Sequence, residues 1–391
     1  NKVSVGEGDV VTYGTVSSSG NMVRYNGPEL KPFTRYYWSL RVLSPAGEWS
    51  DWSPIAFFET GLMDQSNWKG KWITDTYDYT LKPAPLFRKS FQTEKGIASA
   101  RIYIAVAGLY ELSVNGEVIG DHRLDPMYTR FDRRNLYVTH DVTENIRRGE
   151  NVVGVLLGNG WYNHQSTAVW YFDKAPWRAR PKFCLDLKIL YTDGSEEIIT
   201  SGPDWKTTLS PVVFNSIYTA EHYDGRLGKQ GWNSPGYNPE SWKNAVATGA
   251  PSQNIVSQTL HPIRNVLEIP AKKMTRLNEK TWLFDFGRNM AGVTKLKVSG
   301  AEGTEIRLKH AERLDKNGYA DLSNIDVHYR PVDDSDPFQT DIFILGGKGE
   351  ETFMPRFNYK GFQYVEVTAD KPVTLTKESL TAYFMHSDVP P

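Results

Sequence analysis

The stretch Ala100-Arg101-Ile102-Tyr103-Ile104-Ala105-Val106-Ala107 decides the fold class of this sequence. Its large aliphatic side chains occupy every second position, which places them on one face of a β-strand. The same alternation recurs at residues 185–189, 295–298 and 305–309. Convincing helical patterns are scarce, so the sequence predicts an all-β protein.

Tight turn signals separate these alternating runs. Asn115-Gly116, Asp193-Gly194 and Asn317-Gly318 offer residues that adopt the positive φ values of short hairpins. Short connections join antiparallel strands, so we expect antiparallel sheets. The chain also has 12 Trp and 21 Tyr residues, which favour pleated sheet and can stack on the apolar face of a sugar ring.

Composition limits the number of domains and the class of partner. The chain of 391 residues is longer than one hydrophobic core usually organises. Its 45 Lys and Arg residues against 46 Asp and Glu leave no charge excess for nucleic acid or an anionic membrane. No apolar run approaches the roughly 20 residues that span a bilayer. Cys184 is the only cysteine, which excludes an internal disulfide. No export signal is visible in Asn1 to Val10, and a mature or truncated chain would look the same.

Two breaks in the pattern divide the chain into three β-modules. A polar stretch near residues 60–72 ends a Trp-rich pattern, and a run of small and polar residues at 245–261 is typical of a linker. We therefore predict modules at residues 1–62, 63–255 and 256–391.

The first module carries Tyr36-Tyr37-Trp38, Trp49-Ser50-Asp51-Trp52-Ser53 and Phe58-Glu59-Thr60-Gly61-Leu62. These motifs resemble the second half of a fibronectin type III domain. The resemblance implies a partial domain that lacks its early strands.

The other two modules resemble the N-terminal and second β-sandwich domains of bacterial α-L-rhamnosidases. The middle module shares Val114-Asn115-Gly116, Leu157-Gly158-Asn159-Gly160-Trp161-Tyr162 and the segment 217–226, and the last module shares Phe284-Asp285-Phe286-Gly287-Arg288 and the segment 355–367. The resemblance covers essentially the whole chain. It implies tandem β-sandwiches, namely a galactose-binding-like jelly roll followed by a concanavalin-like sandwich.

The same resemblance implies the role of the chain. In this family an (α/α)6 barrel follows such sandwiches and removes terminal L-rhamnose with inversion, which requires an acid and a base roughly 6.5–9.5 Å apart. Both carboxylates belong to the helical domain, so no catalytic residue is assigned here, and that domain of the same polypeptide is the expected partner. The expected ligand is a rhamnose-containing carbohydrate, and a periplasmic or extracellular location would suit such an enzyme. The alternative is a stand-alone carbohydrate-binding or adhesive protein.

One loop has the residue types that bind sugars. Asn159, Trp161, Asn163 and His164 follow the apolar run 152–157, and binding loops cluster at such strand ends. Side-chain amides suit sugar hydroxyls, and an indole suits the apolar face of the ring. The alternative for Trp161 is a core residue, with Gly160 forming a bulge.

Further candidates are Trp170, Glu221, Asp224 and Arg226. The three charged residues form either a salt-bridged structural loop or the lining of a pocket, and Trp170 either contacts a glycan or covers a sheet edge.

Metal ligands are not assigned from the sequence. The resemblance implies that calcium could accompany rhamnose, and no cofactor is required. The run Asp333-Asp334-Ser335-Asp336 lacks the remaining residues of a helix-flanked calcium loop and is predicted to be solvated. The histidines show no zinc spacing.

Overall fold

Strands make up nearly all of the regular structure. The computed structural model describes Tyr25 and residues 27–331 and 333–389, so the predicted absence of a signal in Asn1 to Val10 lies outside the described residues. Within the described residues, helical structure is limited to 3-10 turns at Gln65–Asn67, Phe172–Lys174, Gly225–Leu227, Asp326–His328 and Lys377–Ser379. The all-β prediction is confirmed. None of these turns has the length and hydrophobicity that a membrane-spanning helix requires.

The chain divides into two compact units, and the boundary in the sequence falls between Trp68 and Lys69. In the first unit, strands β1 (Arg35–Trp38) and β2 (Ala56–Glu59) pair antiparallel. The rings of Tyr36 and Phe58, which lie opposite each other, stack with centroids 5.4 Å apart. Cross-strand aromatic pairs of this kind stabilise a two-stranded ribbon.

The strands of the second unit are numbered in chain order. Its first part contains β3 (Ile73–Thr74), β4 (Pro85–Thr93), β5 (Ile97–Ala107), β6 (Leu109–Val114), β7 (Glu117–Val118), β8 (His122–Arg123), β9 (Asn135–Asp141), β10 (Gly149–Gly158), β11 (Lys182–Tyr191), β12 (Glu196–Thr200), β13 (Lys206–Leu209), β14 (Val212–Asn215), β15 (Glu221–Asp224), β16 (Lys243–Asn244), β17 (Val246–Ala247) and β18 (Ile255–Ser257). Its second part contains β19 (Ile263–Pro270), β20 (Lys273–Arg276), β21 (Thr281–Ser299), β22 (Glu305–Ala311), β23 (Arg313–Leu314), β24 (Ala320–Asp321), β25 (Thr340–Ile344), β26 (Glu350–Phe353), β27 (Lys360–Ala369) and β28 (Leu380–Ser387).

Two sheets form the first sandwich. One has the order β16-β13-β4-β10-β6-β7, and the other has the order β17-β3-β11-β5-β9-β18 with β12 beside β11. Their inner faces share one apolar core, in which the Phe87 and Phe183 rings meet edge to face at 5.2 Å and Trp205 lies 5.3 Å from Phe183. The stretch 100–107 lies in β5, and its alternating aliphatic residues belong to this core.

The second sandwich is a sheet that curls around its own core. Its order is β14-β15-β25-β22-β27-β21-β28-β19-β8, with β20 and β26 also beside β21. Residues from most of these strands, including Phe284, Ile306 and Phe343, share one buried cluster. The register of β21 against β27 shifts between Asp285 and Met290, where Gly287 has a φ of +73°. Such a bulge bends a strand, which lets the long β21 follow the curl.

Three strands from the first part of the unit, β8, β14 and β15, belong to the sheet of the second sandwich. β15 pairs parallel with β25, and β8 pairs antiparallel with β19. A third apolar cluster fills the seam between the sandwiches, with Leu86 and Leu156 on one side and Val293, Phe357 and Met385 on the other. Residues 69–391 form one compact unit, and the predicted boundary at residue 255 stays a prediction.

Replacing Gly158 by alanine should destabilise this seam. An added Cβ would lie 2.4 Å from the Phe357 ring, so the side chain or the backbone must shift. Overpacking of this kind costs about 1–3 kcal/mol, which chemical denaturation of the variant would measure. Gly249→Ala is the matched control, because Gly249 is exposed and an added Cβ meets nothing within 4 Å. Equal loss in both variants would contradict close packing at Phe357.

The turn predictions are confirmed in position. Asn115 and Gly116 both have positive φ, at +52° and +91°, and join β6 to β7. In the other two turns only Gly194 and Gly318 have positive φ. Residues 245–261, which the sequence analysis expected to be a linker, supply the short strands β17 and β18 to the edges of a sheet. Strands of two or three residues are too short to produce a detectable alternation.

Candidate functional site

The first candidate loop starts at Gly158, where β10 ends. Asn159 is buried there, and its backbone N–H donates to Asn215 Oδ1 over 2.7 Å. Its side-chain Nδ2 donates to Asn215 O over 3.0 Å, and its Oδ1 accepts from Asn163 Nδ2 over 3.1 Å. Both polar atoms of this amide are thus used within the protein, which fixes the loop to a neighbouring segment.

Asn163 is held in the same way. Its Nδ2 also donates to Tyr79 O over 2.9 Å, and its Oδ1 accepts from Arg178 Nε over 3.0 Å. The Arg178 guanidinium lies 4.8 Å from the centre of the Tyr79 ring. The structure therefore brings Asn159 and Asn163 together, but below the surface. Their contact with sugar stays a prediction.

Trp161 and His164 pack as an aromatic pair. Their ring centroids lie 5.1 Å apart at an interplanar angle of 28°, and Phe172 lies 4.8 Å from Trp161. His164 is buried, and neither of its ring nitrogens has a hydrogen-bond partner. Burial lowers the pKa of His164 to about 4, so the ring is neutral at pH 7. Trp161 is half-buried, and whether it is a core residue or a sugar contact stays a prediction.

Trp170, in contrast, lies at the surface with 47% of its area exposed. Its ring meets Tyr218 edge to face at 5.0 Å and lies 5.5 Å from the His328 ring. Tyr171 and Tyr128 are also exposed, and Tyr128 contacts Phe172 of the same loop. We call the residues Tyr128, Trp170, Tyr171, Tyr218 and His328 the aromatic surface. The sequence analysis identified only Trp170 of this set.

The aromatic surface depends on a contact between distant segments. Val169 N–H donates to His328 O over 3.1 Å, so the loop of the first sandwich pairs with a loop of the second. Nearby, the buried Asp336 carboxylate accepts from Ser166 Oγ and Thr219 Oγ1, each over 2.5 Å. The prediction of a solvated loop is therefore wrong for Asp336, whose partners lie more than a hundred residues away in sequence. Burial raises the pKa of Asp336.

Glu221 is fully buried at the start of β15. Its Oε2 accepts from the backbone N–H groups of Arg356 and Phe357 over 2.9 and 3.1 Å, and its Oε1 lies 3.5 Å from the Arg356 guanidinium. Burial raises the pKa of Glu221. The carboxylate therefore ties β15 to the segment before β27.

Asp224 and Arg226 form a two-bond ion pair. Arg226 Nε donates to Asp224 Oδ1 over 2.9 Å, and an Arg226 terminal nitrogen donates to Oδ2 over 2.7 Å. Asp224 also caps the 3-10 turn Gly225–Leu227 through the Arg226 N–H. These contacts hold the pKa of Asp224 below its usual range and match the structural-loop alternative.

A second buried network was not predicted. The Lys360 ammonium donates to Asp341 Oδ1 over 2.8 Å and to Asn358 Oδ1 over 2.6 Å, with all three side chains buried. Asp341 Oδ1 also accepts from the Glu221 N–H over 2.8 Å. The sequence carries no local signal for these contacts, because the hydrogen-bond partners of Asp341 lie between 17 residues (Asn358) and 120 residues (Glu221) away along the chain.

Within the described residues, no group of three or more His, Cys, Asp or Glu side chains is arranged to hold a metal ion. The described residues thus offer no such cluster for calcium, and calcium binding stays a prediction.

Three family models match consecutive parts of the chain. The N-terminal immunoglobulin domain of Rha78A-like proteins matches residues 2–64, where the sequence analysis expected a partial fibronectin type III domain. The α-L-rhamnosidase N-terminal domain matches residues 95–267, and the bacterial α-L-rhamnosidase concanavalin-like domain matches residues 275–386.

Curated relatives and solved structures that are named α-L-rhamnosidase also match this chain. An α-L-rhamnosidase of Formosa agariphila is 34% identical over 379 residues, which is 90% of this chain and 39% of the relative. The structure of an α-L-rhamnosidase from Dictyoglumus thermophilum is 38% identical with a TM-score of 0.89, over 97% of this chain and 43% of that one. A Streptomyces avermitilis α-L-rhamnosidase complexed with L-rhamnose is 26% identical with a TM-score of 0.88, over 98% and 52%.

This chain spans about two fifths of the length of the Formosa relative. The three matched family models follow one another along this chain and together cover most of its 391 residues. The chain therefore belongs to the bacterial α-L-rhamnosidase family, of which it carries the immunoglobulin-like, N-terminal and concanavalin-like domains.

Proposed function

We propose that this chain is the non-catalytic β-sandwich part of an enzyme that hydrolyses terminal α-L-rhamnosides. The observation that carries the proposal is the ordered match of three domain models, with relatives named α-L-rhamnosidase that are more than twice as long. The proposed partner is a helical catalytic domain of the same polypeptide.

The chemistry of the buried carboxylates supports a structural role for this part. An inverting glycosidase needs one carboxylic acid and one carboxylate that both face the substrate. Glu221, Asp336 and Asp341 instead face donors of the protein itself. We therefore assign no catalytic residue among them.

The 391-residue chain should not release product from an aryl α-L-rhamnoside. The reason is that the acid and the base would be supplied by the catalytic domain. A chromogenic assay of the chain measures this directly, with an active α-L-rhamnosidase as the positive control. Turnover that is lost when one carboxylate of this chain is changed to its amide would overturn the proposal.

A second proposed role is carbohydrate binding at the aromatic surface. Trp170 and Tyr171 are 47% and 60% exposed, and aromatic rings of this kind pack against the apolar face of a pyranose. The exposed His328 ring next to Trp170 offers a nitrogen for a hydroxyl group. A stand-alone binding protein would use the same surface, so this role does not depend on a catalytic domain. No cofactor is required.

Trp170→Ala should weaken binding of a rhamnose-containing oligosaccharide about tenfold, since the stacking surface is lost. Isothermal titration, with and without calcium, measures the change and tests the calcium prediction at the same time. Trp52→Ala is the matched control, because it removes an exposed indole of the first unit. Unchanged affinity in Trp170→Ala would exclude this surface.

A further inference from the structure

A groove of about 450 Å³ lies at the seam between the two sandwiches. Its apolar side includes Leu86 and Leu156 from the first sandwich and Phe343 from the second. The loop 225–233 and the connection between β25 and β26 provide its polar side. We call this space the seam groove. Ligand pockets in proteins commonly have volumes of about 300–1,000 Å³, so a sugar unit fits.

Trp232 lines the seam groove and is held by packing. Its ring lies 6.4 Å from Trp242 at an interplanar angle of 25°. Its edge approaches β10 so closely that a Cβ added to Gly154 would lie 2.9 Å from it. The glycine therefore lets the indole pack on the sheet, and the part of Trp232 that lines the groove offers an apolar contact to a pyranose ring.

The charged side chains that line the seam groove differ in how many contacts they make within the protein. Both oxygens of Glu351 accept from backbone N–H groups at residues 346 and 347 over 2.9 Å. Arg356 lies 3.4 Å from Glu111 and 3.5 Å from the buried Glu221. Glu111 also lines the groove, and its carboxylate, which pairs with Arg356 through Oε2, can accept from a ligand hydroxyl.

Two cations of the seam groove form no ion pair with a described residue. Lys229 and Lys348 both line it, and neither ammonium group forms an ion pair within the part of the chain that the structure describes. Lys348 Nζ lies 3.7 Å from the position of a Cβ on Gly228, which places it over the loop 225–231. The side chain of Lys348 is exposed and that of Lys229 half-buried. The groove thus has positive charge available beside an indole and a carboxylate.

We infer that the seam groove binds an acidic saccharide, a sugar unit whose carboxylate lies between Lys229 and Lys348. Its ring packs on Trp232, and a hydroxyl group donates to Glu111. A neutral sugar leaves the two ammonium groups without a partner and binds more weakly. This site shares no residue with the aromatic surface, so the inference goes beyond the proposed function and does not depend on it.

The test is titration of the 391-residue chain with D-glucuronate, and with D-glucose as the neutral probe, at millimolar concentrations and low salt. The expected result is binding of glucuronate that weakens with added salt and that exceeds binding of glucose. Lys348→Gln should weaken glucuronate binding about fivefold, the size of one partly exposed charge contact. Lys316→Gln removes an exposed lysine outside the groove and should leave the affinity unchanged.

Three results would overturn the inference. They are the absence of glucuronate binding, equal affinity for glucose, and glucuronate binding that Lys229→Gln and Lys348→Gln both leave unchanged. Neither lysine belongs to a buried cluster, so these variants should fold, and circular dichroism at matched temperature checks this. The aryl rhamnoside assay and the Trp170→Ala titration have separate readouts, so their failure does not affect this result.

Discussion

Replacing Lys360 by methionine is expected to lower the free energy of unfolding by about 3–5 kcal/mol, because it leaves a buried carboxylate without its cation. The side chains of Lys360 and Asp341 are only 1% and 0% exposed, and their atoms meet at 2.8 Å. Asp341 Oδ2 already has no hydrogen-bond partner, so the carboxylate depends on the few donors at Oδ1. Urea denaturation of the variant and the wild type at pH 7 measures the loss.

Two controls separate charge burial from general disruption. Arg307→Ala removes one partner of a surface pair, Arg307 with Glu305, and should cost less than about 1 kcal/mol. Adding Asp341→Asn to Lys360→Met should recover part of the loss, since the remaining buried group is then uncharged. A single variant as stable as the wild type would show that the pair contributes little.

Acid is expected to destabilise the chain between about pH 6.5 and pH 4 through its buried histidines. Burial lowers the pKa from 6.5 to about 4 in the following residues: His140, His164, His222 and His310. Their neutral forms are favoured in the folded protein, so the unfolded chain binds more protons in this window. The stability they contribute is complete above pH 6.5 and is lost as the pH falls through 4. Each group accounts for up to about 2 kcal/mol between pH 7 and pH 5.

His164→Phe isolates one of these groups. The ring lies against Trp161 and makes no hydrogen bond through either nitrogen, so phenylalanine should fit the same space without a polar atom to bury. We expect the variant to be at least as stable as the wild type at pH 7 and about 2 kcal/mol more stable relative to it at pH 5. Thermal unfolding across pH gives both values. A stability difference that does not change with pH would contradict a neutral, buried His164.

Local patterns explain why the fold class could be predicted. The alternation at residues 100–107 corresponds to β5, with Ile102, Ile104 and Val106 in the core, and Asn115-Gly116 forms a hairpin turn. The strand alternation and the turn signal each depend only on residues that are close together in the sequence. The pairing of β15 with β25 has no local signal, because the partners are far apart in sequence and the strands have only four and five residues. For the same reason the shared sheet of the two parts was not anticipated.

The candidate site was predicted from residue types, and types do not determine exposure. Asn159 and Asn163 suit sugar hydroxyls, but their amides also suit the backbone groups at a strand end. Trp170 remains at the surface because the loop carrying it pairs with residues near His328, a contact that no local pattern indicates. Glu221 and Asp224 were expected in either a structural loop or a pocket, and their partners match the first choice.

The parallel pairing of β15 with β25 also constrains the order of events during synthesis. The hairpin of β14 and β15 leaves the ribosome about a hundred residues before β25. Until then we expect the β15 edge to lack a strand partner, and unpaired strand edges favour association with other chains. A recombinant piece that ends near residue 255 would lack β25, so we expect it to aggregate more readily than a chain that contains both sandwiches.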